Sequence, residues 1–133
     1  MNSIRLPKYV SLVTLLAFGY VSQGQAQSPE DPRLARLMQI ADAEGCVFPD
    51  MPDIPDAANA TMEEMVGTQG AVQVYMADST TLLECLEGIG ENDDFSTEDR
   101  ELALSAYNSV VENQETLVET WNAQRTSFLE AQQ

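Results

Sequence analysis

Almost all of the ionisable side chains that could do chemistry in this 133-residue chain are carboxylates. The sequence has 22 acidic residues against six basic ones, no histidine, and Lys8 as its one lysine. Without histidine there is no Ser-His-Asp or Cys-His nucleophile, no usual catalytic zinc site and no Glu-x-x-His di-iron bundle. Carboxylates and tyrosines alone are a poor acid–base repertoire, so we expect a non-enzymatic protein without a cofactor.

Three carboxylates in the C-terminal part of the chain have the spacing of one helical face. Glu112, Glu115 and Glu119 stand at positions i, i+3 and i+7. Such a stripe is either a solvated outer face or a surface for a cation or a basic protein, and both interpretations stay open. The acidic loop at residues 91–99 lacks the EF-hand spacing and its central glycine, so we expect no dedicated metal site.

The N-terminal segment has the organisation of a cleavable signal peptide. Arg5 and Lys8 precede an apolar run of 13 residues at positions 9–21, and small residues at 24 and 26 suit a signal peptidase. As a helix this run reaches about 20 Å, short of the roughly 30 Å hydrocarbon core of a membrane. We therefore predict cleavage of residues 1–26, a periplasmic or secreted domain at residues 27–133, and no stable membrane insertion.

The expected mature chain keeps four arginines against all 22 acidic residues, a net charge of −18. Such a surface repels nucleic acid and anionic lipid, and it attracts cations or basic proteins. Acidity also keeps an exported protein soluble or suits a salty habitat. The charge therefore argues against a nucleic-acid partner but does not identify which partner the protein has.

The two cysteines, Cys46 and Cys85, have one way to pair, and we expect a disulfide because the chain is predicted to be exported. They are not a Cys-x-x-Cys redox pair, so the role expected for the bond is structural. It would close a loop of 38 intervening residues, which the chain-entropy model values at roughly 4 kcal/mol.

The elements that must position these groups begin with a short helix predicted at residues 32–44. Asp31 is its expected N-cap and Pro32 its first residue, and Gly45 is placed to end it. A helix of about three turns is not stable alone, so its apolar face must dock on another element. That face is expected to consist of Leu34, Leu37, Met38 and Ala41.

Residues 46–60 change to a period of three, with prolines at positions 49, 52 and 55, each followed by an aspartate. This spacing forbids a helix and fits polyproline II, so we expect an extended rod that runs antiparallel along the next helix. Its proline edge and its apolar edge are expected to pack, with the aspartates in solvent. Gly67 and Gly70 of that helix are expected to let the rod approach closely. The apolar edge would consist of Phe48, Met51 and Ile54.

A long helix is predicted at residues 61–88, with a capping box formed by Thr61 and Glu64 and an end at Gly88-Ile89-Gly90. The face that carries Cys85, Leu82 and Tyr75 is expected to lie against the rod. A second apolar stripe needs its own partner and consists of Met65, Val72, Met76, Leu83 and Leu86.

The last helix is predicted at residues 96–130, beginning at Ser96-x-x-Asp99. The short connection makes it the antiparallel neighbour of the long helix. Asn113 and Gln114 interrupt its apolar face, and the heptads are too impure for a long self-sufficient coiled coil. The buried face is expected to consist of Ala103, Ala106, Val110, Leu117, Trp121 and Phe128.

Part of the chain resembles a small group of uncharacterised exported bacterial proteins. The resemblance lies in the Pro-Asp run, the Ala-Thr-x-Glu-Glu-Met start of the long helix at residues 60–65 and the Cys85-Leu86 close. It covers about residues 49–86 and brings no activity with it. The resemblance therefore implies export and this architecture, and nothing about mechanism.

Taken together, the patterns predict an all-α single domain in which a short helix and a Pro-rich segment pack on a long antiparallel helical hairpin, locked by one disulfide. The first functional hypothesis is a non-catalytic interaction or structural protein of the cell envelope, which contacts another protein or a second copy of itself. The alternative is an acidic binding protein for cations or a basic protein, such as an inhibitor of a basic secreted enzyme.

Overall fold

The computed structural model describes residues 31–133, and the predicted signal peptide at residues 1–26 lies outside this part of the chain. The described residues form three helices: α1 (Pro32–Ala43), α2 (Met62–Glu91) and α3 (Thr97–Ala131). Between residues 31 and 133 there is no strand, and the disulfide joins Cys46 to Cys85 with 5.7 Å between their Cα atoms. The predicted all-α fold with one disulfide is confirmed.

The helices begin where their capping residues predict. The side chains of Asp31 and Ser96 accept hydrogen bonds from backbone N–H groups in the first turns of α1 and α3. Thr61 and Glu64 form a reciprocal capping box, in which each side chain accepts a bond from the other residue's backbone N–H. After α1, Gly45 has φ of +74°, a left-handed conformation that glycine adopts without strain.

The end of α2 differs from the prediction. The helix does not stop at Gly88-Ile89-Gly90 but continues to Glu91. Ile89 is buried in a cluster with Ile40 of α1 and Ala103 of α3. Burial of this side chain between two other helices outweighs the roughly 1 kcal/mol that each helical glycine costs.

The core lies between α2 and α3, which run antiparallel along most of their length. Three clusters of buried side chains follow one another from the open end of this hairpin to its closed end. Tyr75 and Leu82 belong to this core, in clusters that also hold Ile54 and Cys46 of the rod. The stripe that α2 buries repeats at intervals of three, four or seven residues and consists of Met65, Val72, Tyr75, Ser79, Leu82, Leu86 and Ile89.

Helix α1 packs beside the N-terminal half of α3, but with a different face from the predicted one. Ala41 is buried and Leu37 half-buried as expected, whereas Leu34 and Met38 are exposed. Ile40 takes the buried position, against Ile89 and Ala103. The buried residues are thus shifted toward the C-terminal end of α1, because its last turn packs against the closed end of the hairpin.

The rod, residues 46–56, runs antiparallel to α2 as predicted. Cys46 lies near Asp78 and Cys85, and Pro52–Pro55 lie near Glu64, Gly67 and Ala71, about two to six turns closer to the start of the helix. The proline edge is half-buried and the aspartates are exposed, as expected. Ala57 follows the rod directly; it is buried, and its backbone N–H donates to Gln124 Oε1 of α3 at 2.8 Å.

Two expectations about the rod are wrong. Phe48 and Met51 are exposed, and of the predicted apolar edge only Ile54 packs against the core. A Cβ atom added at Gly67 or Gly70 would meet nothing within 4 Å, so these glycines do not serve a close approach of the rod.

Candidate interaction face

Helix α1 and the rod both cover the same side of the α2–α3 hairpin. On α3, α1 borders Leu102, Ala106 and Ser109, and the end of the rod meets Gln124. On α2, the rod follows a line of residues at helical spacing from Cys85 back to Glu64. One side of the hairpin is therefore built over by the N-terminal part of the described chain.

The opposite side of the hairpin carries two grooves whose lining comes from α2 and α3 alone. Met76 of α2 stands seven and fourteen residues after Gln69 and Met62, and Val118 of α3 stands seven before Arg125, so both grooves lie on one face. Leu83, seven residues beyond Met76, extends that face. We call this surface the open face; its apolar members are Met62, Val66, Met76 and Leu83 of α2 and Val111, Val118 and Leu129 of α3.

The open face exposes several large apolar side chains to solvent. Val66 is 63% exposed, Met62 56% and Leu129 46%, and these three side chains surround one groove at the open end of the hairpin. Met76, Val111 and Val118 are half-buried along the second groove. Contiguous exposed apolar surface of this kind is typical of interaction sites in soluble proteins.

The predicted acidic stripe contributes two of its three members to this face. Glu115 and Glu119 line the second groove beside Val111 and Val118. Glu112 is exposed but is not among the residues of either groove on this face. The stripe is therefore neither purely a solvated outer face nor a complete site, because two of its carboxylates border an apolar surface.

A polar pair lies beneath the second groove. Gln114, half-buried in its lining, donates from Nε2 to Ser79 Oγ of α2 at 2.7 Å. Ser79 is fully buried and its hydroxyl in turn lies 3.2 Å from the backbone carbonyl oxygen of Met76, to which it donates. Gln114 thus interrupts the apolar pattern because its side chain forms a hydrogen bond across the hairpin. The spacing alone did not reveal this bond.

The charged contacts that perturb titration are structural. Arg36 of α1 donates from Nε and Nη2 to the two carboxylate oxygens of Asp99, at 2.9 and 2.7 Å, and these bonds lower the pKa of Asp99 and raise that of Arg36. The backbone N–H of Thr61 lowers the pKa of Glu64, and burial raises the pKa of Tyr75. Each shift follows from a cap, an interhelical pair or core packing.

Sequence reasoning identified Asp99 only as part of a helix start. Its side chain is buried beneath Arg36, so it also fixes α1 on the first turn of α3. A second ion pair joins Arg100 to Asp93 at 2.9 Å. The scarcity of cations could have indicated the first pair. With four arginines among many carboxylates, each arginine is expected to find an acidic partner.

Residues 31–133 contain no group of three or more Asp, Glu, Cys or His residues arranged to hold a metal ion. None of their helices combines the length and the apolar character that crossing a membrane requires.

No family model, curated protein or solved structure matches the chain.

Proposed function

We propose that this protein is an exported, non-catalytic interaction protein of the cell envelope, and that it contacts another protein through the open face. The observation that carries the proposal is the asymmetry of the hairpin, which α1 and the rod cover on one side only. An antiparallel helix pair with an uncovered apolar side is completed by a further helix or by a second pair.

Export is supported by the signal-peptide pattern of residues 1–26 and by the disulfide between Cys46 and Cys85. Disulfides persist in oxidising compartments such as the periplasm and the extracellular space. The bond joins the start of the rod to α2, so it holds in place the elements that cover the other side of the hairpin.

A non-catalytic role is supported by the chemistry of the side chains. The sequence has no histidine, and Arg125 lines one of the open-face grooves. Carboxylates line one groove together with aliphatic side chains, an arrangement suited to binding a surface rather than to proton transfer.

The test compares two valines of α2 that are equally exposed but differently placed. Val66 is 63% exposed and lines the open face, whereas Val74 is 61% exposed and stands four residues from Asp78 on the rod side. We expect the purified exported protein to retain a stoichiometric partner from envelope extract, or to associate with itself in light scattering. Val66→Asp should abolish that binding and Val74→Asp should leave it intact.

The result that contradicts the proposal is equally concrete. Binding that survives Val66→Asp, or is lost in both variants while circular dichroism shows both folded, places the interface elsewhere. A monomer that retains nothing from the extract removes the basis for an interaction role.

A further inference from the structure

We propose that the occupant of the open face is a basic amphipathic helix of another protein, with an apolar side flanked by lysine or arginine. This inference rests on the proposed function, since it names the partner of the same surface. Three features of the described residues lead to it: the length and shape of the face, the sign of the charge along it, and the position of Arg125.

The shape of the face suits a helix. From Val111 to Leu129 the open face follows 19 residues of α3, whose ends lie about 27 Å apart at 1.5 Å per residue. Met62 to Leu83 of α2 runs beside it in the opposite direction, so the two grooves follow one another along the furrow between the helices. A third helix of about 18 residues fits such a furrow through apolar side chains at i, i+3, i+4 and i+7.

The charge along the furrow favours a basic occupant. Glu115 and Glu119 border it on α3, and Glu87 follows Leu83 by four residues on α2, where it is exposed. Lysine and arginine can lay their aliphatic stems on an apolar surface while their charged ends reach such carboxylates. The expected mature chain's net charge of −18 further steers a cationic segment toward this surface.

A second copy of the chain fits the same surface less well. Face-to-face association would bring the carboxylates of both copies, and both net negative charges, to one interface. A covering segment from a basic protein removes that repulsion. The apolar furrow is common to both arrangements, and the charges distinguish them.

Arg125 sets the direction of the bound helix. It lines the open end of the furrow with Met62 and Leu129, and makes no ion pair within residues 31–133. A helix carries partial negative charge at its C-terminus. The occupant therefore lies with its C-terminal end, or a carboxylate near that end, at Arg125, and its basic residues along Glu115 and Glu119.

The experiment uses three synthetic 18-residue peptides of defined design and the purified exported protein. One has leucines at i, i+3, i+4 and i+7 with flanking lysines and a free C-terminal carboxylate. The second has the same composition in scrambled order, and the third carries glutamates in place of the lysines. We expect the first to bind at least about tenfold more tightly than either control in calorimetric titration, a difference of the size that a few buried anchor residues produce.

Matched variants locate the binding. Glu115→Gln with Glu119→Gln should weaken the first peptide by about tenfold, whereas Asp50→Asn with Asp53→Asn, which removes the same charge from the rod, should not. Equal affinity for the scrambled peptide, or equal weakening by the rod variant, shows attraction to net charge alone and overturns the inference. No measurable binding of the lysine peptide overturns it as well.

The outcomes also separate this inference from the proposed function. A stable dimer in light scattering that is lost in Val66→Asp and that excludes the lysine peptide makes a second copy the occupant. A neutral or acidic protein that binds the wild type but not Val66→Asp makes that protein the occupant instead of a basic helix. In both cases the open face remains an interface and only the basic helix is excluded.

Discussion

Gln114 of α3 donates a 2.7 Å hydrogen bond to Ser79 of α2 across the middle of the hairpin. Ser79 is completely buried, between the cluster around Tyr75 and the cluster around Leu82. The Ser79 hydroxyl donates to the Met76 carbonyl within its own helix and accepts from Gln114, which only one register of α2 against α3 brings opposite it. The pair therefore favours this register, and with it the alignment of the side chains on the open face.

The free energy of unfolding should depend more on the size of the side chain at position 79 than on its polarity. Ser79→Ala removes one hydrogen bond while Gln114 can turn to solvent, so we expect a loss of about 1 kcal/mol in the free energy of unfolding. Ser79→Leu forces extra volume between α2 and α3, and should cost about 1–3 kcal/mol or more. Urea denaturation of both variants measures this. A Ser79→Leu protein as stable as the wild type would show that the space is not closed.

The Arg36–Asp99 pair predicts a specific dependence on pH. Because Arg36 holds the pKa of Asp99 below its ordinary value, the unfolded chain binds a proton at this carboxyl before the folded chain does. The stabilisation is complete above about pH 4 and is lost as the pH falls through the folded pKa.

Thermal unfolding of an Arg36→Gln variant checks this dependence. The difference in Tm between wild type and variant should be present at about pH 6 and shrink toward about pH 3. Arg33→Gln is the matched control, because Arg33 makes no ion pair within residues 31–133. A difference in Tm that stays constant over this range would mean that Asp99 does not titrate against Arg36.

The disulfide should carry much of the stability of this small domain. It joins residues 39 apart in sequence, and the chain-entropy model gives about 4 kcal/mol for a loop of this length. We expect the Cys46→Ser, Cys85→Ser double variant to lose stability of this order in denaturant titration. Its α2–α3 hairpin should keep its helical circular dichroism, since the core clusters lie between those helices. A change within about 1 kcal/mol would show that the rod is held without the bond.

The glycines of α2 divide into two kinds. A Cβ atom at Gly67 or Gly70 meets nothing within 4 Å, whereas one at Gly90 lies 2.9 Å from Cδ2 of Leu104. Gly67→Ala and Gly70→Ala should therefore each stabilise the protein by about 0.5–1 kcal/mol. Gly90→Ala should gain less, because Leu104 has to move. Equal gains at all three positions, measured by thermal unfolding, would contradict the close contact at Gly90.

The sequence was sufficient for the elements whose signals are local. Capping residues such as Thr61 and Ser96, the left-handed Gly45 and the period of the rod each depend on a few neighbouring residues. Two cysteines leave one pairing, so the position of the rod along α2 also followed. The ends of α1 and α3 were predicted within about one residue.

Features that depend on which elements meet were not predictable in the same way. Ile40 rather than Leu34 is buried, and α2 continues past Gly88, because the closed end of the hairpin packs there against α1. Tyr75 and Leu82, which were predicted to face the rod, lie in clusters where residues of α2, α3 and the rod meet.

The open face shows the same limit. Its two α3 valines and the glutamates beside them are visible in the sequence, but their exposure depends on α1 and the rod both lying on the other side. Periodicity identifies an apolar stripe without stating whether another element covers it. Which side of the α2–α3 hairpin stays open is determined only when α1 and the rod pack on the other side.

The most direct measurement of the central claim is site-specific photo-crosslinking of the protein in the cells that produce it. A photoreactive residue at position 118, in the middle of the open face, should yield one discrete adduct with another protein. The same residue at position 74, on the rod side of α2, should yield none. Adducts at position 74 alone, the same adduct at both positions, or none at either would contradict the assignment of the open face as the interaction surface.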